Sequence, residues 1–276
     1  MAEVNQRLAA CSWSFQAQTV EGLIGCLQEA GLARTQLRLN DLDEDAAWRD
    51  AGAKLKAAGI EIVSGMFTPL GEDYSTLERI RETGGIVPDE TWAHNEKQFA
   101  RLVGICTGLD LDLVTFHAGF IPHVPSDPVR VKVRDRLRVL ADLCGGAGIG
   151  LLLETGQETA EDLEGFLAEL DHDAVGVNFD PANMILYGKG DPLKAVELLL
   201  PRVRQVHIKD ALPTREPETW GSEERVGSGA VDWEAFLGIL DRGGYRGDLV
   251  IEREAGDERV ADIGYAAAYI TGLLKA

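Results

Sequence analysis

Four residues of types that bind metal ions stand at or near the ends of four apolar segments in the second half of the chain. They are Glu154 in LLLETG, Asp180 in VNFDPAN, His207 in QVHIKD and Glu252 in LVIERE. A single acid at such a place usually caps a helix or pairs with a cation. Three carboxylates and one imidazole together form a set suited to Mn, Mg, Co or Zn, and a metal would make three buried acids tolerable. Four such residues at successive segment ends therefore predict one divalent metal centre.

The elements that would position these residues follow a strand-helix alternation. Eight short runs rich in Val, Ile, Leu and Phe are predicted strands, at 7–14, 35–40, 61–67, 112–118, 149–155, 175–181, 203–209 and 247–253. Helical periodicity is found between them, at 20–30, 43–58, 92–108, 129–147, 158–170, 191–200, 233–242 and 257–274. Alternation allows either a barrel or a doubly wound sheet, and eight pairs favour closure. The prediction is an α/β chain folded as a (β/α)8 TIM barrel, in a single domain over residues 1–276.

A barrel brings these four residues together because the C-terminal ends of its strands converge on one mouth. Side-chain alternation supports the last two: His207 and Lys209 share one face of their strand, and Glu252 and Glu254 share one face of theirs. The four side chains are therefore expected to point into the same mouth.

Two connections after strands are longer than the others, at residues 68–91 and 211–231. Both lie on the side of a barrel where active sites are built, which predicts lids or binding loops, with an ordinary surface insertion as the alternative. The second contains RVGSG at 225–229, which matches neither a Walker loop nor a dinucleotide fingerprint. We interpret it as a tight turn, and not as a phosphate cradle.

Composition limits the partners of the chain. The 276 residues include 27 Lys and Arg against 46 Asp and Glu, a net charge of −19 that opposes binding to nucleic acid. No apolar run is long enough to span a bilayer, and the start, MAEVNQRLAAC, does not resemble a secretion signal. The four cysteines are scattered, without metal-ligand spacing: Cys11, Cys26, Cys106 and Cys144. These features predict a soluble, cytoplasmic protein with reduced thiols and no membrane partner.

The motifs resemble those of the sugar phosphate isomerase/epimerase family, within the xylose isomerase-like TIM barrel superfamily. The resemblance covers essentially the whole chain and is carried by the strand-ending Glu154, FDPAN, HIKD, RVGSGAVDW and IERE. Relatives include ketose 3-epimerases, hydroxypyruvate isomerase, inosose isomerases and dehydratases, and endonuclease IV. The resemblance implies that the four residues hold the metal and that Glu154 and Glu252 are also the catalytic acid and base. It further implies isomerisation or epimerisation of a small keto-sugar or polyol, by proton transfer next to a metal-bound carbonyl through an enediolate.

Further residues are candidate substrate contacts: His117, Lys209, Arg225, Asn183, Trp13 and Phe67. His117 and Arg225 match positions that face substrate in relatives, while Lys209 is suited to an oxyanion and Asn183 to a hydroxyl. Trp13 and Phe67 offer an apolar wall for a sugar. The alternative for each is a structural role, such as core packing or a local turn.

Three other functions use the same barrel. A lyase or dehydratase acting on a keto-cyclitol or keto-sugar would use the same metal site. An endonuclease IV-like hydrolase is disfavoured, because Asn183 stands where a further histidine is expected and the chain has only 5 histidines. A non-catalytic sugar sensor is opposed by the complete set of metal-binding residues. Relatives often form dimers or tetramers, so the resemblance allows a homo-oligomer.

Overall fold

Eight parallel strands close into a barrel in the structure, a computed structural model that describes residues 7–216 and 219–275. The first seven follow in chain order: β1 Leu8–Cys11, β2 Arg34–Arg38, β3 Glu61–Met66, β4 Leu113–Phe116, β5 Gly150–Glu154, β6 Val175–Phe179 and β7 Val203–Ile208. The barrel is completed by β10, Leu249–Ile251, which pairs with both β7 and β1. A short antiparallel hairpin, β8 Asp210–Leu212 and β9 Ser222–Glu224, lies between them in sequence. The predicted (β/α)8 TIM barrel is confirmed.

The helices occupy the connections. They are α1 Val20–Glu29, α2 Leu39–Glu44, α3 Ala51–Ala57, α4 Leu77–Thr83, α5 Asp89–Gly108, α6 Pro128–Gly146, α7 Ala160–Leu170, α8 Pro181–Leu186, α9 Pro192–Leu199, α10 Trp233–Arg242 and α11 Arg259–Leu273. The single helix predicted at 43–58 is wrong. Asp45 has an extended backbone and its side chain accepts a hydrogen bond from Ala47 N, so it ends α2 and begins a separate 3₁₀ turn.

The strands are shorter than the apolar runs that predicted them. The run 7–14 leaves the sheet after Cys11 and continues as a 3₁₀ helix, Ser12–Phe15. In the same way, 247–253 contributes only Leu249–Ile251 to the barrel. Site residues such as Trp13 and Glu252 therefore lie in the turns just beyond the strand ends, where the mouth begins.

Buried residues form two separate layers, one on the outer side of the strands and one inside the barrel. The outer layer, between strands and helices, is apolar and includes Leu23, Leu37 and Phe166. Each such side chain contributes about 1.5–3 kcal/mol by its burial. Inside the barrel, a small cluster of Ala9, Cys11 and Val250 lies among buried polar side chains that include Gln36, Thr115, Asn178 and Gln205. The barrel interior is therefore unusually polar below the mouth.

Both long connections contain secondary structure. Residues 68–91 include α4, and 211–231 include the rest of the β8–β9 hairpin, although 217 and 218 lie outside the described residues. All four cysteines are unpaired. Among residues 7–216 and 219–275, no helix has the length and apolar character needed to cross a bilayer.

Candidate metal centre and active site

The structure brings Glu154, Asp180, His207 and Glu252, here called the quartet, into one buried cluster. Each offers a ligand atom, and these atoms lie within 4.8 Å of one another. His207 Nδ1 is 3.1 Å from Glu154 Oε1 and 3.5 Å from Glu252 Oε2. None of the four is more than 5% exposed. The predicted convergence of the four residues is therefore present in the fold.

Each member of the quartet is placed by its own strand. Glu154 is the last residue of β5, His207 lies within β7, and Glu252 directly follows β10. Asp180 follows β6 and caps α8: its Oδ1 accepts hydrogen bonds from Ala182 N and Asn183 N at 2.8 and 3.0 Å. Pro181 at the first position of that helix fixes the turn. The cap aligns Asp180 so that its second oxygen, Oδ2, is left free for another partner.

Glu252 is held as a carboxylate by two donors. Trp13 Nε1 donates to Oε1 at 2.8 Å and Lys209 Nζ donates to Oε2 at 2.9 Å. Burial alone would raise the pKa of Glu252, but Lys209 and His207 outweigh it and hold that pKa well below its usual range. Lys209 is also 2.7 Å from Glu254 Oε2, and its pKa is raised well above the usual value despite its burial. The ammonium and the carboxylate therefore stabilise each other's charge.

Asp180 behaves in the opposite way. Burial, together with the negative charges of Glu252 and Glu154, raises its pKa to about 8, although Lys209 and His207 act against this. For Glu154, the nearby His117 and His207 outweigh burial and lower the pKa. The metal-free cluster is thus nearly neutral, with ionised glutamates balanced by His207 and Lys209.

Two buried oxygens show that the quartet fits a divalent cation. Asp180 Oδ2 and Glu154 Oε2 accept no hydrogen bond from any residue of the described chain. Buried carboxylate oxygens without a partner carry a large desolvation cost, which a cation would remove. A set of three carboxylates and one imidazole matches the ligand preferences of Mn, Mg, Co and Zn.

Glu252 of the quartet lines a cavity of about 920 Å³ in the barrel mouth, and Glu154 contacts two other lining residues, His117 and Asn183. Five of the six predicted substrate contacts line it: Trp13, Phe67, His117, Asn183 and Lys209. His117 Nε2 is 3.4 Å from Glu154 Oε2, and Asn183 Nδ2 donates to Glu154 Oε1 at 3.1 Å. Phe67 also belongs to the core, since its ring lies 5.3 Å from that of Phe99.

Arg225 is the predicted contact that the structure places elsewhere. It is absent from the cavity lining among the described residues, and its guanidinium lies 4.0 Å from the Tyr265 ring centroid. The turn that follows Arg225 wraps around a different residue, Asp210.

Asp210 organises the RVGSG turn. Its Oδ2 accepts hydrogen bonds from Gly227 N, Gly229 N and Trp233 Nε1 at 2.9, 3.2 and 3.0 Å, and its Oδ1 accepts from Ala211 N and Val231 N at 2.9 and 3.1 Å. A Cβ on Gly229 would lie 2.2 Å from Asp210 Oδ1, which is why glycine is required there. The turn amides therefore bind an internal carboxylate, in agreement with the tight-turn interpretation.

The sequence did not single out several residues that line the cavity: Glu72, Tyr74, Tyr187, Trp220, Glu223 and Glu254. Glu72, Tyr74, Trp220 and Glu223 belong to the two long connections, whose length was the only signal for them. Glu254 lies two residues after Glu252, and this alternation did indicate that its side chain points into the mouth.

Comparisons with known proteins agree with this geometry. The family model described as xylose isomerase-like TIM barrel matches residues 26–272. A crystal structure of a xylose isomerase domain protein from Planctomyces limnophilus is 32% identical, with a TM-score of 0.86 and coverage of 91% of this chain and 92% of that one. A xylose isomerase-like TIM barrel protein from Mycobacterium smegmatis in complex with magnesium is 18% identical, with a TM-score of 0.76 and coverage of 99% and 98%.

Among curated proteins, an inosose dehydratase of Geobacillus thermodenitrificans is 28% identical over 136 residues, or 44% of this chain and 45% of that protein. The match therefore spans about half the length of this relative. The family model and the Planctomyces structure each cover most of the chain. Together with the closed barrel and the quartet at its mouth, they show that the chain belongs to the xylose isomerase-like TIM barrel family.

Proposed function

We propose that the chain is an isomerase or epimerase of a small keto-sugar or polyol that depends on one divalent metal. The observation that carries the proposal is the quartet, with its ligand atoms within 4.8 Å of one another at the base of the mouth. A divalent ion bound there would supply Lewis-acid stabilisation of the negative charge that develops on substrate oxygens when the neighbouring carbon loses a proton. The family membership supports the same class of reaction.

In this proposal Glu154 and Glu252 move the proton. Their strands, β5 and β10, are separated by β6 and β7 in the barrel order, so the two carboxylates approach the mouth from different sides. Trp13 and Lys209 keep Glu252 unprotonated, as a base must be, and because its pKa is low it would remove a proton only from a carbon that a bound metal had made acidic. Glu154, beside His117 and Asn183, would take up a proton from solvent as substrate binds and return it to the other face or to the adjacent carbon, and Glu252 would release the proton it removed to solvent after product leaves. Return to the other face inverts a stereocentre, and return to the adjacent carbon moves the carbonyl.

The test combines elemental analysis with hydrogen exchange. We expect one metal per chain in the purified protein, and deuterium entering beside the carbonyl of a ketose or inosose from a panel incubated in deuterated water with Mn²⁺. Glu154→Gln and Glu252→Gln should each abolish this exchange. Glu161→Gln, at an exposed glutamate of α7, is the matched control and should leave it unchanged. Normal exchange in both site variants would refute the assignment of Glu154 and Glu252. A metal-free protein without exchange would favour the sugar sensor instead.

A dehydratase acting on a keto-cyclitol is the second candidate. It is favoured by the inosose dehydratase match and by Lys209, whose Nζ lies 2.9 Å from Glu252 and 2.7 Å from Glu254, next to the atoms that would move protons. Elimination needs a donor for the leaving hydroxyl as well as a base. Mass spectrometry of the product separates the two reactions, because dehydration loses one water and isomerisation conserves mass.

The carboxylates that line the mouth oppose binding of a nucleic acid.

A further inference from the structure

A buried amide contacts the side of the His207 ring that faces away from the other ligands. Gln36, in β2, is fully buried, and its Oε1 lies 2.8 Å from His207 Nε2. The other ring nitrogen, Nδ1, lies 3.1 Å from Glu154 Oε1 and 3.5 Å from Glu252 Oε2. The two nitrogens therefore have different environments: Nδ1 faces the carboxylates of the quartet and Nε2 faces the amide.

Neighbouring groups determine which end of the Gln36 amide meets the ring. Thr115 Oγ1 donates to Gly65 O at 3.2 Å, so its hydroxyl proton is engaged and it offers a lone pair to Gln36. Gln36 Nε2 donates to Thr115 Oγ1 and to Gly65 O, the latter at 3.4 Å. If the amide turned over, its oxygen would face two acceptors. Cys11 Sγ, 3.6 Å from Gln36 Oε1, adds a second donor on the oxygen side. The amide oxygen is therefore held toward His207.

We infer that Gln36 is a positioning residue that fixes the tautomer of His207, keeping the proton on Nε2 and presenting the Nδ1 lone pair to the metal. A neutral imidazole carries one proton, and an acceptor placed at Nε2 keeps the proton there. A histidine ligand needs this second contact because it sets both the tautomer and the ring orientation. The inference deepens the proposed function and rests on its metal centre. It adds three residues to the surroundings of the site: Gly65 and Thr115 orient the Gln36 amide, and Gln36 orients His207.

The first test measures Zn²⁺ affinity by calorimetry on the full chain. Gln36→Met removes the acceptor at nearly constant volume, and we expect Zn²⁺ to bind about 10–100-fold more weakly, the usual effect of losing such a contact. Gln205→Met is the matched control, since Gln205 is also a buried glutamine of the barrel interior and its amide has no partner in the described chain. It should bind Zn²⁺ with nearly wild-type affinity. Equal affinities in the two variants would overturn the inference.

The second test reads the tautomer itself, which a merely structural role would not change. In Zn²⁺-loaded protein with ¹⁵N-labelled histidine, only 5 histidines contribute signals. We expect His207 to carry a slowly exchanging proton on Nε2 and a metal on Nδ1. Thr115→Val removes the hydroxyl that orients the amide and should accelerate exchange of that proton, while Thr115→Ser should restore slow exchange.

The outcomes separate this inference from the proposal beneath it. A Gln36→Met protein with unchanged exchange at Nε2 would overturn the role of Gln36 while leaving the metal centre in place. A wild-type protein with the proton on Nδ1 would overturn the inference and would also remove His207 from the ligand set. A wild-type protein that binds no Zn²⁺ would overturn the metal centre and this inference together.

Discussion

Metal binding to the quartet should release two protons. The pKa of Asp180 is raised to about 8, first by burial and then by Glu252 and Glu154. Burial would lower the pKa of His207, but Glu154 and its other neighbours outweigh this and raise it well above the usual value. At pH 6, which is below the pKa of Asp180 and below the raised pKa of His207, both groups therefore carry a proton in the metal-free protein. A metal ion needs the deprotonated forms, so it must displace both.

The expected magnitude follows from this count. Each displaced proton makes the association constant rise about tenfold per pH unit, so two protons give a rise of about 100-fold. At about 1.36 kcal/mol per proton and pH unit, this is a change of about 2.7 kcal/mol per pH unit around pH 6. Above pH 8 Asp180 is already ionised in the free protein, so its share of the pH dependence should be lost.

Calorimetry of Mn²⁺ binding at pH 6, repeated in buffers of different ionisation enthalpy, measures the protons directly. We expect about two protons released per Mn²⁺ by the wild-type protein and about one by Asp180→Asn. His172→Gln is the control, because this histidine lies outside the cavity beside Asp142 and should not change the count. Release close to zero from the wild-type protein would refute the assigned protonation states and the argument built on them.

Two further predictions concern stability. The pKa of Asp180 in the folded protein lies above its ordinary value of 3.8, so its burial costs stability increasingly as pH rises toward 8. Asp180→Asn keeps an oxygen for the α8 cap and removes the buried acid. It should therefore raise the melting temperature of the metal-free protein more at pH 8 than at pH 4, and an equal rise at both pH values would contradict this. Asp210→Asn leaves buried N–H groups such as Trp233 Nε1 without an acceptor and should lower the free energy of unfolding by about 3 kcal/mol in urea. The exposed Asp241→Asn should change it by less than about 0.5 kcal/mol, and similar values for the two variants would contradict the role of Asp210.

The barrel and the quartet were accessible to sequence reasoning because both depend on local periodicity. Strand spacing predicted eight strands, and side-chain parity placed His207 and Glu252 on the inner faces of the last two. Asp180 followed by Pro181 also carries a helix-start signal, which predicts α8, although that helix was not assigned. Each of these sequence signals lies within a few residues of the side chain whose position it predicts.

Contacts between distant segments were not accessible. Gln36 meets His207 across 171 positions of sequence, and nothing in the residues around Gln36 indicates this. Arg225 lies over the ring of Tyr265, next to the turn that wraps around Asp210, and the residues around it indicate neither contact. Glu72 lines the cavity from within the long connection 68–91, and the residues around it do not indicate the path of that connection. Two statements stay predictions: residues 1–276 form one domain, and the chain can assemble into a homo-oligomer.

The Asp210 carboxylate also has a consequence for the thermodynamics of ligand binding. Because it binds the backbone of Gly227, Gly229 and Val231 from inside the protein, it fixes the turn that follows β9, and β9 carries Glu223 of the cavity lining, before any ligand arrives. The conformational entropy of the segment is lost during folding, so a ligand need not order it again on binding. Weakening these hydrogen bonds would transfer that entropy loss to the association step, and affinity would then fall without any change in the groups that touch the ligand.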